Sequence, residues 1–333
     1  MNYENEYKRW LESDKLTIAE KEILNNFSEQ ETEDSFYRDL EFGTGGLRGV
    51  MGLGTNRMNI YTVRRATQGL ASEILDCGAD FAEKGVVIAH DSRNNSRAFA
   101  LEAANVLCAN GIKTYLFDGL RPTPELSFAV RYLGCARGIV ITASHNPKEY
   151  NGYKVYGEDG GQIPPGVADK IIKYIDNTDI FDGVKLCENP KINIIGEEVD
   201  SAYIKAVKEQ SLGTKIPADF KVVYTPLHGS GNIPVRRILT ETGVKNVFTV
   251  PEQEKPDGNF PTVKSPNPEN SEAFDIAIEY AKKQNADLVF GTDPDSDRIG
   301  VVVKTSDVEY KVLNGNQTGC LLLEYILRKE KEN

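Results

Sequence analysis

The residues best placed to do chemistry are Asp293, Asp295 and Asp297, spaced at i, i+2 and i+4 in Thr292-Asp-Pro-Asp-Ser-Asp-Arg298. In a straight strand their carboxylates would spread over about 13 Å. A divalent ion takes its oxygens at roughly 2.1 Å, so the segment must curl for all three to bind. Pro294 and Ser296 suit such a curl. An EF-hand, the competing D-x-D-x-D reading, requires Gly at its sixth position and an acid at its twelfth, where this chain has Arg298 and Lys304. A hard cation with spare coordination sites, most simply Mg2+, fits better, the plain alternative being a solvated acidic turn.

A second candidate is Ser144 in Ile141-Thr-Ala-Ser-His-Asn-Pro147, directly after the apolar run Gly138–Ile141. In open α/β sheets ligands gather at the carboxyl ends of strands, which places Ser144 well for a nucleophile. A hydrolase triad would need a His base and an Asp orienter converging on it. His145 is adjacent in sequence, where convergence of its ring on the hydroxyl is awkward, and no G-x-S-x-G elbow is present. The plain alternative is a strand-to-loop Ser beside a hydrogen-bonded His.

Phosphate-binding candidates follow from Gly43-Thr-Gly-Gly-Leu-Arg48, which offers unhindered N–H groups at Thr44 and Gly45 and the guanidinium of Arg48. Asp91-Ser-Arg93, Arg121-Pro-Thr-Pro124 and Asn151-Gly-Tyr-Lys154 add polar groups, each weak alone. Walker A and strict GxGxxG patterns are absent, which removes the usual support for nucleotides.

These segments need elements to hold them, and the pattern supplies an alternation. Tyr3, Tyr7, Trp10 and Leu11 share a helix face, and Thr17-Ile-Ala-Glu20 reads as a capping box. A long helix is expected over 63–81, strands over 86–89, 113–117 and 138–142, and helices over 96–109 and 124–132. Helices follow at 167–175 and 199–210. A second series predicts a strand at 220–224, a helix at 233–242, a strand at 246–250 and a Pro-rich loop at 251–270. It continues with a helix at 271–285, strands at 287–291, 299–304 and 308–313, and an apolar helix at 316–330. The fold class is α/β, with successive domains of mixed sheets covered by helices.

Length and composition agree. The 333 residues allow two domains and a fragment. Fifty Asp and Glu against 39 Lys and Arg give a net charge of −11, which disfavours a nucleic-acid surface. The five cysteines are scattered, without CxxC pairs, as suits reduced thiols. A polar, acidic N-terminus and the lack of a long apolar run predict a cytoplasmic, soluble chain without a membrane anchor.

Together the motifs resemble the α-D-phosphohexomutase superfamily, in its phosphoglucomutase/phosphomannomutase group, nearest the branch with phosphopentomutase-like phosphoglucomutases. The resemblance rests on Phe42-Gly-Thr-Gly-Gly-Leu-Arg-Gly49, Thr142-Ala-Ser-His-Asn-Pro-Lys-Glu-Tyr-Asn-Gly-Tyr-Lys154, Tyr224-Thr-Pro-Leu-His-Gly229, Asp257-Gly-Asn-Phe-Pro261 and Gly291-Thr-Asp-Pro-Asp-Ser-Asp-Arg298, in the family's order. It implies that Ser144 carries a phosphate and helps Asp293, Asp295 and Asp297 bind Mg2+. It implies that Arg298 holds the phosphoserine region, that Lys154 is an acid/base candidate, that Arg48 is an active-site arginine and that His145 orients. His228 is shared with the nearest branch, without a role. The implied reaction interconverts hexose 1-phosphate and hexose 6-phosphate, such as the glucose phosphates, through a 1,6-bisphosphate, with glucose 1,6-bisphosphate as activator.

The resemblance further implies a first domain over 1–212 with the phosphoserine loop, a second over 213–312 with the metal loop, and the start of a third over 313–333. The family has four domains, so an inactive or weakly active N-terminal fragment is expected, its helix at 316–330 packing against domain two or a neighbouring molecule. Two rivals stand beside this reading. One is a metal-dependent phosphatase with Asp293 as nucleophile, which would want a hydroxyl residue where Asp297 stands. The other is a sugar-phosphate binding module without catalysis.

Overall fold

The computed structural model describes residues 2–213, 215–306 and 309–332. Among these, the strands form two mixed sheets. The first contains β1 (Phe42–Gly43), β2 (Gly46–Val50), β3 (Val86–His90), β4 (Thr114–Phe117), β5 (Arg137–Ile141), β6 (Tyr150–Tyr156) and β7 (Ile192–Ile195), in the order β1-β2-β6-β5-β3-β4-β7. Strands β5, β3, β4 and β7 run parallel, and β6, β2 and β1 extend the sheet antiparallel. The second contains β8 (Lys221–Thr225), β9 (Asn246–Thr249), β10 (Leu288–Thr292), β11 (Ile299–Lys304) and β12 (Tyr310–Leu313), in the order β12-β11-β10-β8-β9. Here β10, β8 and β9 are parallel and β11 and β12 antiparallel.

The central strands are apolar on both faces because helices cover both faces. In β3, Val86 and Ile88 enter one core with Leu70, Ile74 and Leu107, while Val87 and Ala89 enter the other with Leu126 and Val130. This is the two-residue alternation of a strand, doubled. Each fully buried aliphatic side chain contributes about 1.5–3 kcal/mol. The second sheet packs Val223, Val289 and Val302 against Phe274, Ala277 and Ala281. Trp10, Leu24, Phe36 and Tyr61 close a separate core under the N-terminal helices.

Several expectations change in the structure. The helix expected over 63–81 is two, Ile60–Asp76 and Ala79–Glu83, because Gly78 turns the chain at φ 104°. The glycine-rich stretch is a β-hairpin, β1–β2, with Thr44 and Gly45 as its turn. Asn151-Gly-Tyr-Lys154 lies within strand β6. Of the strand expected at 308–313, Val308 lies outside the described residues.

Of the two surfaces expected for the last helix, the second domain or a neighbouring molecule, the second sheet's core does not take it up. The helix Gly315–Glu332 exposes about half of Leu321, Leu322, Leu323, Ile326 and Leu327, and none of them joins the core of that sheet. Among the described residues, no helix is long and apolar enough to cross a membrane.

Candidate active site

The carboxyl ends of β3, β4 and β5 in the first sheet face the carboxyl end of β10 in the second. The loop after β5 carries Ser144, and the loop after β10 carries the three aspartates. Ser144 is 3% exposed and sits at φ 54°, a left-handed conformation uncommon outside glycine. Its N–H donates to Thr142 Oγ1 at 2.8 Å, and that hydroxyl donates to Asp91 Oδ2 at 2.7 Å. Asp91 also accepts from the Arg93 N–H and from Ser96 Oγ. A buried polar chain from β3 thus fixes the Ser144 backbone.

Arg93 completes that support. Its guanidinium donates to the carbonyls of Ser144 and Asn146 at 2.5 Å, Pro147 at 2.9 Å and Tyr150 at 3.1 Å. The other face of the group lies over the Phe260 ring, 5.1 Å from its centroid. Only the planar fork of arginine could gather four carbonyls this way. Its two terminal nitrogens are therefore committed to the loop, while Nε faces the buried Asp91 carboxylate at 3.3 Å, so Arg93 does not offer its fork to a phosphate as its segment suggested. Arg121 and Asn151 are likewise taken: Arg121 pairs with Asp200 and Asp118, and Asn151 donates to Asn94 O and Ser96 Oγ.

Ser144 Oγ donates to Asp293 Oδ2 at 2.6 Å and lies 3.2 Å from His145 Nδ1. The sequence made this approach of His145 look awkward. The left-handed turn at Ser144 folds the chain back and permits it. Burial, then Arg298 and Arg48, hold the His145 pKa below its usual value, which favours the neutral ring.

The aspartate loop curls as expected, with Ser296 at φ 54°. One oxygen from each of Asp293, Asp295 and Asp297 lies within 4.8 Å of the others. Asp293 and Asp295 are fully buried. Burial, followed by the neighbouring carboxylates, raises the Asp293 pKa. Burial is the largest influence on Asp295 too and pushes its pKa up, but the Lys154 charge and the hydrogen bonds from Lys154, Asp293 and Thr123 together leave it below the ordinary carboxylate range. Lys154 Nζ donates to Asp295 Oδ2 at 2.9 Å and Asp297 Oδ2 at 3.3 Å. Burial lowers the Lys154 pKa, yet those two charges more than offset it, and the net shift is upward.

This donor set fits a hard divalent cation. Like charges crowd behind a single lysine, and Asp295 Oδ1 is buried without a hydrogen-bond partner. An all-oxygen set at such separations suits Mg2+.

The remaining candidates lie around this centre. Arg298 donates its N–H to Asp293 Oδ1 at 3.1 Å, while its guanidinium pairs with Glu269 at 3.2 Å. Arg48, on β2, reaches Asn146 Oδ1 at 3.2 Å. Thr44 and Gly45 turn beside the strand of Lys154, where Gly45 O accepts from the Val155 N–H at 2.9 Å. A Cβ on Gly46 would strike the Tyr153 carbonyl, so the hairpin can lie this close only with glycine there. His228 stands apart: Nδ1 meets Lys255 O at 3.0 Å and Nε2 meets Thr262 Oγ1 at 2.9 Å, so it staples the 255–262 loop. Sequence reasoning missed Arg93 as a loop scaffold and Thr123 as a partner of Asp295. The Thr123 N–H donates to Asp295 O at 2.8 Å and its hydroxyl to Asp295 Oδ2 at 2.9 Å.

The chain is similar to known proteins over most of its length. Residues 39–180 match Phosphoglucomutase/phosphomannomutase, alpha/beta/alpha domain I, and residues 201–306 match alpha/beta/alpha domain II of the same family. A phosphoglucomutase of Staphylococcus saprophyticus is 42% identical over 95% of this chain, and one of Staphylococcus aureus is 39% identical over 94%. The chain spans 57% and 58% of the lengths of those relatives. A structure from Thermus thermophilus, provisionally named a phosphomannomutase, superposes with a TM-score of 0.74 at 27% identity, covering 88% of this chain and 62% of its own.

Proposed function

This chain belongs to the phosphoglucomutase/phosphomannomutase family, and from that premise we propose that it carries the phosphoryl-transfer centre of a hexose-phosphate mutase, with Ser144 as the phosphorylated residue. The observation that carries the reading is the Ser144 Oγ to Asp293 Oδ2 hydrogen bond, which seats the hydroxyl against the carboxylate cluster.

Asp293, Asp295 and Asp297 would hold Mg2+ together with an oxygen on Ser144. Bound there, the ion would supply positive charge against the phosphoryl oxygens. Three carboxylates and one Mg2+ leave about one negative charge, and a phosphoserine adds up to about two more. Lys154, Arg48 and Arg298 are the cations available to offset them. Lys154 begins as the ammonium, so it can donate a proton to a leaving oxygen before it can accept one. Arg298 is parked on Glu269, and exchanging that exposed partner for a phosphate costs little. His145 orients the Ser144 hydroxyl.

In the proposed reaction the Ser144 phosphate passes to the free hydroxyl of a hexose monophosphate, the P–O bond to Ser144 breaking as the bond to sugar oxygen forms, with Lys154 giving a proton to the departing Ser144 oxygen and taking the one the sugar hydroxyl releases. The resulting 1,6-bisphosphate reorients and returns its other phosphate to Ser144. The protein contributes positioning and charge stabilisation. Glucose 1-phosphate and glucose 6-phosphate are the proposed substrate pair, with glucose 1,6-bisphosphate as phosphoryl donor. The staphylococcal phosphoglucomutases support a hexose phosphate as the ligand class. The reading places the protein in the cytoplasm, where its free cysteines stay reduced. It divides the chain at 212–213, where Ser211, Leu212 and Gly213 are exposed.

Acid stability of the phosphoenzyme tests the nucleophile. After incubation with glucose 1,6-bisphosphate and Mg2+, a phosphate that survives acid and is absent from Ser144→Ala is an ester on Ser144. A phosphate released by hydroxylamine marks an acyl phosphate, as the Asp293 phosphatase reading requires, and sinks the proposal.

A further inference from the structure

We propose that Thr123 is a positioning residue that decides which oxygen of Asp295 faces the metal. The inference rests on the metal reading above and extends it to a residue outside the aspartate loop. Thr123 opens the helix Thr123–Leu133, in the α/β unit that does not carry the aspartates. The residue in the capping position before Thr123 is Pro122, which has no side-chain oxygen to serve the helix. The helix has no side-chain cap, and the Thr123 hydroxyl donates across the seam between the sheets to Asp295 Oδ2.

An aspartate carboxylate rotates about its Cβ–Cγ bond, so its two oxygens are interchangeable until something distinguishes them. Asp295 Oδ2 receives both Thr123 Oγ1 at 2.9 Å and Lys154 Nζ at 2.9 Å. Oδ1 receives nothing and is buried. The Thr123 N–H holds the Asp295 carbonyl at 2.8 Å, so backbone and carboxylate are clamped from one residue. Lys154 alone would not suffice, because it also serves Asp297 Oδ2 and can shift toward it. Thr123, 6% exposed, has little space to move in. The free oxygen is thus presented to a cation before the cation arrives, which is how a supporting residue raises metal affinity.

The test compares Thr123→Val, which keeps the shape and removes the hydroxyl, with Thr123→Ser, which restores it. Mn2+ binding is followed by the loss of free-ion EPR signal, and folding by thermal denaturation. The Val variant should bind Mn2+ about tenfold more weakly, as expected for losing one hydrogen bond to a charged group, and the Ser variant should bind within about twofold of wild type. Unchanged affinity in a folded Val variant overturns the assignment while leaving the metal reading intact. Wild-type protein that binds no Mn2+ overturns both.

A measurement on the wild type covers the case in which Val does not fold. Exchange of the Thr123 amide, which donates to Asp295 O, should slow several-fold when Mg2+ is added. Exchange that is unchanged or faster contradicts the clamp.

Discussion

Ser144 and Asp293 stand 149 residues apart in the chain and share a 2.6 Å hydrogen bond. Neither sheet alone brings a hydroxyl and a carboxylate cluster together. The contact exists because the loops at the carboxyl ends of β5 and β10 meet, which makes the chemistry of this protein a property of the seam. Its behaviour under substitution should therefore follow how well the seam is held.

Arg93 is the first point of failure. Arg93→Lys keeps the charge but replaces a planar fork with a point donor, so the four carbonyls around Ser144 cannot all be held. A destabilisation of about 3 kcal/mol is expected, since each buried carbonyl left without its donor costs about 1–3 kcal/mol. Urea unfolding measures it, and phosphate incorporation should fall at temperatures where the variant remains folded.

Gly258 tests the docking of the second unit on the first. A Cβ there would meet the backbone of Asn94 and Arg93, beside the 3.1 Å contact between Asn94 and Asn259. Gly258→Ala should cost about 1–3 kcal/mol through overpacking. Gly166→Ala is the control, since nothing lies within 4 Å of the added methyl in the helix Pro165–Asp176. That change should be neutral or stabilise by up to about 1 kcal/mol. Equal losses in both variants would show that the Asn94 contact does not matter.

Glu125 gives a pH signature. Burial, then Asp200, raise its pKa from 4.5 to about 9, against the pull of Arg121 and Arg237. The folded state keeps a proton that the unfolded chain releases near 4.5, so stability is lost as pH rises from there toward 9. Glu125→Gln does not titrate. Its melting temperature relative to wild type should climb across that window and stay level below it. A difference independent of pH would contradict the buried, protonated carboxyl.

The sequence made the alternation of buried strands and helices legible because period and punctuation coincide there. The helix Ser96–Ala109 ends where Asn110-Gly111 said it would, with Gly111 at φ 75°. The Thr17–Glu20 capping box is present as read. The same device at Ser28 and Glu31 opens the helix Glu29–Phe36, which went unnoticed because that segment is almost wholly polar and shows no apolar period. The β1–β2 hairpin was hidden by its glycines, whose value for close packing against β6 is invisible until the neighbour is known.

At the site, the aspartate spacing announced itself, since it demanded a curl and a cation. The scaffold around it did not. Arg93 and Thr123 act on backbone carbonyls and a distant carboxylate, and such partners carry no local sequence pattern. His228 explains itself only beside Lys255 and Thr262. The exposed apolar helix Gly315–Glu332 shows the converse limit, since apolar content signals burial without naming the surface that provides it.

The most direct test of the central claim is site-resolved phosphate mapping. The chain is incubated with glucose 1,6-bisphosphate in Mg2+ or in EDTA, digested and sequenced by mass spectrometry, with Ser144→Ala and Asp293→Asn treated alongside. One phosphate on Ser144, dependent on Mg2+ and much reduced in Asp293→Asn, is the predicted result. Phosphate elsewhere, or on Ser144 regardless of Mg2+ and Asp293, would contradict the account.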